Sequence, residues 1–139
     1  MTDLPPDIAA SLEVLAPGQA PGLVPPLSLL AEELLRWNAR INLTGYGDLR
    51  GVWVGLFLDS LALLPHLHGK SLLDIGSGAG FPGLVLALAR PDVAVTLLDG
   101  RAKRVSFQKQ AARLLGLGNL RSVQGRAGEG ALPGQVFDT

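Results

Sequence analysis

The chain has 139 residues, which suits one domain, and 47% of them are hydrophobic, enough for a sizeable packed core. Twelve basic and twelve acidic residues cancel, so no overall field points to nucleic acid, and the lack of cysteine excludes disulfides and thiolate metal sites. No apolar run reaches the roughly 18 residues of a membrane span, and the N-terminal stretch carries acids and prolines where a signal peptide would be basic and apolar, so a cytoplasmic protein is expected.

Residues 1–26 are punctuated by Pro5, Pro6, Pro17, Pro21, Pro25 and Pro26, which leaves room for one short helix between Asp7 and Leu15 in an otherwise loosely attached arm. After Pro25-Pro26 the apolar positions Leu27, Leu30, Leu34, Trp37 and Ile41 recur in steps of three and four. Glu32, Glu33, Arg36 and Arg40 lie elsewhere around the wheel, as in an amphipathic helix. A second helical run is expected from Asp48, a candidate N-cap, to Leu64, where Pro65 ends it, so that residues 27–69 form a helical N-terminal region. His66 and His68 fall in an exposed turn without carboxylates at ligand spacing, and no metal site is expected.

At Ser71 the period changes. Ser71–Ile75 is a short apolar run that meets glycines, as a buried parallel strand does, and Pro82 suits the first turn of a helix to about Arg90. Val93–Leu98 is the next strand and ends at Asp99. Arg101–Leu115 is the next helix, closed by Gly116 and Gly118, and Leu120–Gln124 is a third strand. A fourth can begin at Val136-Phe137-Asp138. Alternating strands and helices over residues 70–139 predict an α/β, Rossmann-like doubly wound parallel sheet. Five basic residues and no acid occupy Arg101–Arg113, and such a run is either a phosphate-binding face or simply a solvated one.

The motif richest in chemistry is Asp74-Ile75-Gly76-Ser77-Gly78-Ala79-Gly80-Phe81-Pro82-Gly83, set between a predicted strand and a predicted helix. Glycines let the backbone turn sharply and approach a ligand, and free N–H groups at a helix start attract a carboxylate or phosphate. A dinucleotide fingerprint counted from Gly76 requires glycine where Phe81 stands, and a phosphate-binding P-loop requires a lysine that is absent. An acid two residues before the first glycine is instead the loop pattern of methyltransferases that use S-adenosylmethionine (SAM). Asp74 can meet the ammonium of SAM, backbone N–H groups its carboxylate, and Asp99, at the end of the second strand, both ribose hydroxyls.

Several further segments resemble the RsmG (GidB) family, bacterial methyltransferases of a guanine in 16S ribosomal RNA. Trp37-Asn38 with Asn42-Leu43-Thr44 is similar to its W-N-x-x-x-N-L-T run, Asp59-Ser60-Leu61 to its D-S-L, and Asp74 to Gly83 to its glycine loop. Thr96–Asp99 followed by Lys103-Arg104, and Arg126-Ala127, resemble later landmarks. Two positions depart from the pattern: Leu56 replaces a histidine, and Gly128 replaces an acid, with Glu129 one place later.

The resemblance implies that Gly76, Gly78, Phe81, Asp99, Gly100, Arg101, Ala127 and Gly128 border the SAM site together with Asp74, with Phe81 equally readable as core. It also implies a 7-methylguanine product. Guanine N7 bears a lone pair and no proton, so alignment and electrostatics suffice and no general base is required. Lys103 and Arg104 are then candidates to engage RNA phosphate or the target base of 16S rRNA. A sheet of this kind has about seven strands; three and the start of a fourth are legible here, which predicts a C-terminally truncated chain with an apolar edge exposed beside Leu73. The alternatives are a non-catalytic fragment that binds RNA or SAM, and a nicotinamide-dependent Rossmann enzyme.

Overall fold

The computed structural model describes residues 3–139. Helix α1 (Pro6–Leu15) places Pro6 in its first turn, where a missing N–H costs nothing, and buries Ile8 and Leu12, one turn apart. The expectation of a loosely attached arm is therefore corrected. These two side chains belong to the main core, and Arg50 holds Asp7 in an exposed ion pair.

Helix α2 (Ala20–Asn38) corrects the expected start after Pro25-Pro26, because it runs straight through both prolines. Interior prolines cost about 3 kcal/mol each, but the carbonyls they orphan belong to Pro21 and Gly22 on the exposed side, while Leu23, Leu27, Leu30 and Leu34 are buried on the other. Glu33 also leaves its expected solvent face. It is 6% exposed and accepts hydrogen bonds from Trp37 Nε1 at 2.8 Å and Arg36 Nη1 at 2.7 Å. Asn38 then explains the run that follows it, since its Oδ1 accepts from the backbone N–H of both Leu43 and Thr44 and closes the turn.

Asp48 is the N-cap expected, accepting from Gly51 N at 2.7 Å. The helical run it opens is not uniform: α3 (Leu49–Val52) passes into a π-helical segment (Trp53–Leu58) and then α4 (Asp59–Leu61), and a short 3-10 turn spans Leu64–His66. No helix among the described residues is long and apolar enough to cross a membrane.

Strands β1 (Ser71–Ile75), β2 (Ala94–Asp99) and β3 (Leu120–Gln124) form one parallel sheet in that order, joined by α5 (Gly83–Ala89) and α6 (Ala102–Leu115). Ile75 pairs with Leu98, and Asp99 with Gln124, so the three strand ends lie side by side. Helix α5 is buried almost all round because it lies between the sheet and the N-terminal helices, which touch it through α2 and α4. Helix α2 also packs on α6, with Trp37 edge-on to Phe107. Gly116, at φ +64°, ends α6 in the left-handed conformation expected of a glycine cap, and Asn119 Nδ2 then donates to the carbonyls of Ala87, Arg90 and Val93.

The last residues run beside β1. Leu73 N donates to Thr139 O at 2.9 Å, and Thr139 N to Ser71 O at 3.0 Å, so the edge expected to be bare is partly paired, although no fourth strand forms among the described residues. A Rossmann-like α/β arrangement preceded by a helical region is thus the observed class.

Candidate cofactor cleft

Parallel sheets bind ligands outside the carboxyl ends of their strands, and here that edge carries the glycine loop. Gly76 leaves β1 at φ +66° and Gly78 follows at +61°, backbone that a side chain adopts only under strain. A Cβ built on either glycine meets nothing within 4 Å. At these two positions the loop has open space above it. Gly83 is the opposite case, since a Cβ there would overlap Leu97 and crowd Asp74, so its role is the close packing of α5 on the sheet.

Beside the loop lies a cleft of about 530 Å³, bounded by Gly76, Asp99, Gly100, Arg101 and Ala127 among the residues predicted from sequence. Ile75, Leu98, Arg104, Gly125, Arg126 and Glu129 complete it. Glu129, one place after the departure at Gly128, therefore reaches the cleft, while Gly128 supplies a turn at φ +82°.

Asp99 is the central polar group. Only 4% exposed, it accepts from Gly78 N and Arg101 N, each at 2.9 Å, and Arg104 Nη1 lies 3.6 Å from its Oδ2. A carboxylate has about four lone-pair sites; two N–H bonds leave acceptor capacity facing the cleft. The Lys103-Arg104 pair is split by this contact. Arg104 turns towards Asp99 and lines the cleft, whereas Lys103 does not reach it; both border a neighbouring depression.

Asp74, Gly78, Phe81 and Gly128 do not line the cleft. Asp74 sits behind the loop and accepts from Gly83 N at 2.9 Å, which fastens β1 to the start of α5. Burial raises its pKa to about 6, against the lowering effect of the Gly83 N–H and with a smaller contribution from the negative charge of Asp99. Phe81, before a cis Phe81–Pro82 peptide, packs on Phe57 with ring centroids 5.8 Å apart and borders a small pocket with Leu56, Asp59 and Ser60. Leu56, the other departure, is therefore apolar lining on the π-helical segment.

Gln108 was not singled out by sequence. Completely buried, it donates from Nε2 to Ser77 Oγ and to Gly78 O, both at 2.8 Å, and accepts from Ser122 Oγ. Its signal in the sequence is one polar residue at a helical position whose neighbours Val105, Phe107 and Ala111 are apolar.

Residues 24–139 match the GidB family, described as rRNA small subunit methyltransferase G. The chain is 47% identical over 125 residues to "Ribosomal RNA small subunit methyltransferase G" of Alkalilimnicola ehrlichii, which covers 90% of this chain and 54% of that protein. The protein of the same name from Myxococcus xanthus is 48% identical over 121 residues, covering 86% and 56% respectively. That from Neisseria meningitidis serogroup B is 46% identical over 101 residues, covering 72% and 49%. The chain spans about half the length of these curated relatives. The match takes in most of α2, the π-helical segment, the glycine loop, Asp99 and the cleft together, and the chain accordingly belongs to the GidB family of rRNA small subunit methyltransferase G proteins.

Proposed function

We propose that the cleft binds SAM and that the protein transfers its methyl group to N7 of a guanine in 16S rRNA. One observation carries the cofactor reading: open space over the left-handed Gly76 backbone adjoins a nearly buried carboxylate, Asp99, at the carboxyl edge of a parallel sheet. The cleft volume lies within the range of about 300–1,000 Å³ common to small-molecule sites.

In this reading the Gly76 backbone receives the methionine end, where a Cβ would fill the space a ligand needs. Asp99 accepts the ribose hydroxyls through the lone pairs not used by Gly78 and Arg101. Gly100 and Arg101 flank the adenosine, and Ala127, held by the turn at Gly128, offers backbone to the adenine edge. Asp74 and Gly78 act from behind by holding the loop. Bound SAM supplies a methyl group made electrophilic by its sulfonium.

The acceptor N7 has a lone pair and no proton, so this chain's residues have no proton to remove. Their contribution is orientation, from a loop whose N–H groups are fixed by Leu98 O and Asp99, while Arg101 and Arg104 at the cleft can neutralise RNA phosphate. The RNA partner rests on the names of the relatives and on the motif resemblance, and the guanine-N7 reading on the motif resemblance alone.

The test is transfer of tritiated methyl from SAM to 16S rRNA by this protein, with the product digested to nucleosides. Label in 7-methylguanosine supports the reading. Label in another nucleoside, with SAM bound, removes the N7 assignment, and SAM binding without transfer reduces the chain to a binding module.

A further inference from the structure

Two depressions lie along the seam between α2 and α6. One, of about 430 Å³, is bordered by Arg36, Trp37, Arg40, Ile41, Lys103 and Ser106. The other, of about 600 Å³, shares Arg40, Ile41 and Lys103 with it, and shares Arg101 and Arg104 with the cofactor cleft. The three are therefore one track, from the cleft across the start of α6 to the indole of Trp37.

Its charge is one-sided. Five cations border the two depressions and no carboxylate does. Arg36 and Arg104 are paired with Glu33 and Asp99, but Arg40, Arg101 and Lys103 have no ion-pair partner among the described residues. The floor between them is apolar. Trp37 is fixed by its Nε1–H bond to Glu33 and its edge contact with Phe107, and Ile41 lies one turn on. Rigid aromatic surface flanked by unpaired cations suits a single nucleic-acid strand, whose bases stack while its phosphates are neutralised.

We infer that this track holds the single-stranded RNA flanking the target base, with Arg40 and Lys103 on successive phosphates and Trp37 against a base or sugar. The inference rests on the proposed RNA substrate. It places recognition on α2 as well as α6, so the N-terminal helices form part of the substrate surface and do more than cover α5.

The experiment is fluorescence anisotropy of a labelled 12-nucleotide single-stranded RNA of mixed sequence against the full chain, repeated across a salt series. Arg40→Glu and Lys103→Glu should each weaken binding about tenfold near 0.1 M salt and reduce the log–log salt slope by about 0.7 per lost phosphate. Arg113→Glu is the control. It makes the same charge change about 15 Å further along α6 at 1.5 Å per residue, and should alter affinity less than about twofold.

Unchanged affinity in Arg40→Glu, or equal losses in all three variants, would overturn the inference, as would a wild-type chain that binds no RNA. Displacement of the RNA by poly-glutamate at equal charge would assign the track to an acidic protein segment instead. Arg40→Gln, which removes charge without reversing it, must weaken binding in the same direction if Arg40→Glu fails to fold. SAM-dependent thermal stabilisation should be unchanged in Arg40→Glu and Arg40→Gln. Because that readout tests the cofactor cleft separately, loss of SAM binding in the wild type would sink the cofactor reading and leave the RNA result to stand or fall alone.

Discussion

The side-chain amide of Gln108 is locked to the glycine loop: Nε2 donates to Ser77 Oγ and Gly78 O at 2.8 Å, while Ser77 N donates to Leu98 O at 3.1 Å. One helix residue thereby sets the height of the loop over the sheet. Buried polar groups left without partners cost about 1–3 kcal/mol. Gln108→Leu should therefore lower unfolding free energy by about 2–3 kcal/mol and weaken SAM binding as well. Urea unfolding measures the first effect and a SAM titration the second, and a variant as stable as wild type contradicts the assignment.

Gly76 and Gly83 should fail in different ways. In Gly76→Ala the new methyl has open space, so the stability loss is limited to left-handed strain of about 1–2 kcal/mol, while SAM affinity falls at least about tenfold because the methyl occupies ligand space. Gly83→Ala meets Leu97 in the core and should destabilise by about 1–3 kcal/mol through overpacking. Parallel denaturation and SAM-binding curves separate the two.

Asp74 links stability to pH. Its pKa is raised from 3.8 to about 6, chiefly by burial, so the folded state binds the extra proton. That contribution is fully present below the unfolded value near 3.8 and is lost as pH rises through about 6. At one pKa unit per 1.36 kcal/mol the loss reaches at most about 3 kcal/mol. Asp74→Asn keeps an oxygen for Gly83 N–H but cannot ionise. It should match the wild type near pH 4 and exceed it by about 1–3 kcal/mol at pH 7.5. Identical pH–stability curves would show that the carboxyl is solvated in the folded protein.

Asp99 is needed by the fold as well as by the proposed cofactor. Asp99→Ala leaves Gly78 N and Arg101 N unbonded and Arg104 without its carboxylate, and should cost about 2–4 kcal/mol. Asp99→Asn retains acceptor capacity and should lose less stability than Asp99→Ala, yet still bind SAM at least about tenfold more weakly through loss of a charge-assisted bond.

Local patterns made much of the architecture legible. The change of period at Ser71, the Asp48 cap, the Gly116 terminator and the glycine loop each depend on residues a few positions apart, and the structure places them as expected. The misreadings share a different origin. Pro25 and Pro26 read locally as a helix boundary, and only the buried Leu23 and Leu27 on either side explain why the helix continues. Glu33 reads as surface, yet it is buried where the Trp37 indole and the exposed Arg36 both bond it. The cleft is similar: Gly76 and Asp99 are readable from strand ends, but the reach of Arg104 to Asp99, the exclusion of Asp74 from the lining and the bond from Gln108 to Ser77, 31 residues away, depend on three-dimensional packing. The π-helical segment has no periodic signature in six residues.

The central claim is that the cleft beside Gly76 and Asp99 takes SAM. Isothermal calorimetry of the 139-residue chain with SAM and, separately, with NAD tests it most directly. The account predicts one saturable SAM site per chain, at least about tenfold weaker binding in Asp99→Asn, and no heat from NAD. Saturable binding of NAD with none of SAM, or SAM binding unchanged in Asp99→Asn, would contradict it.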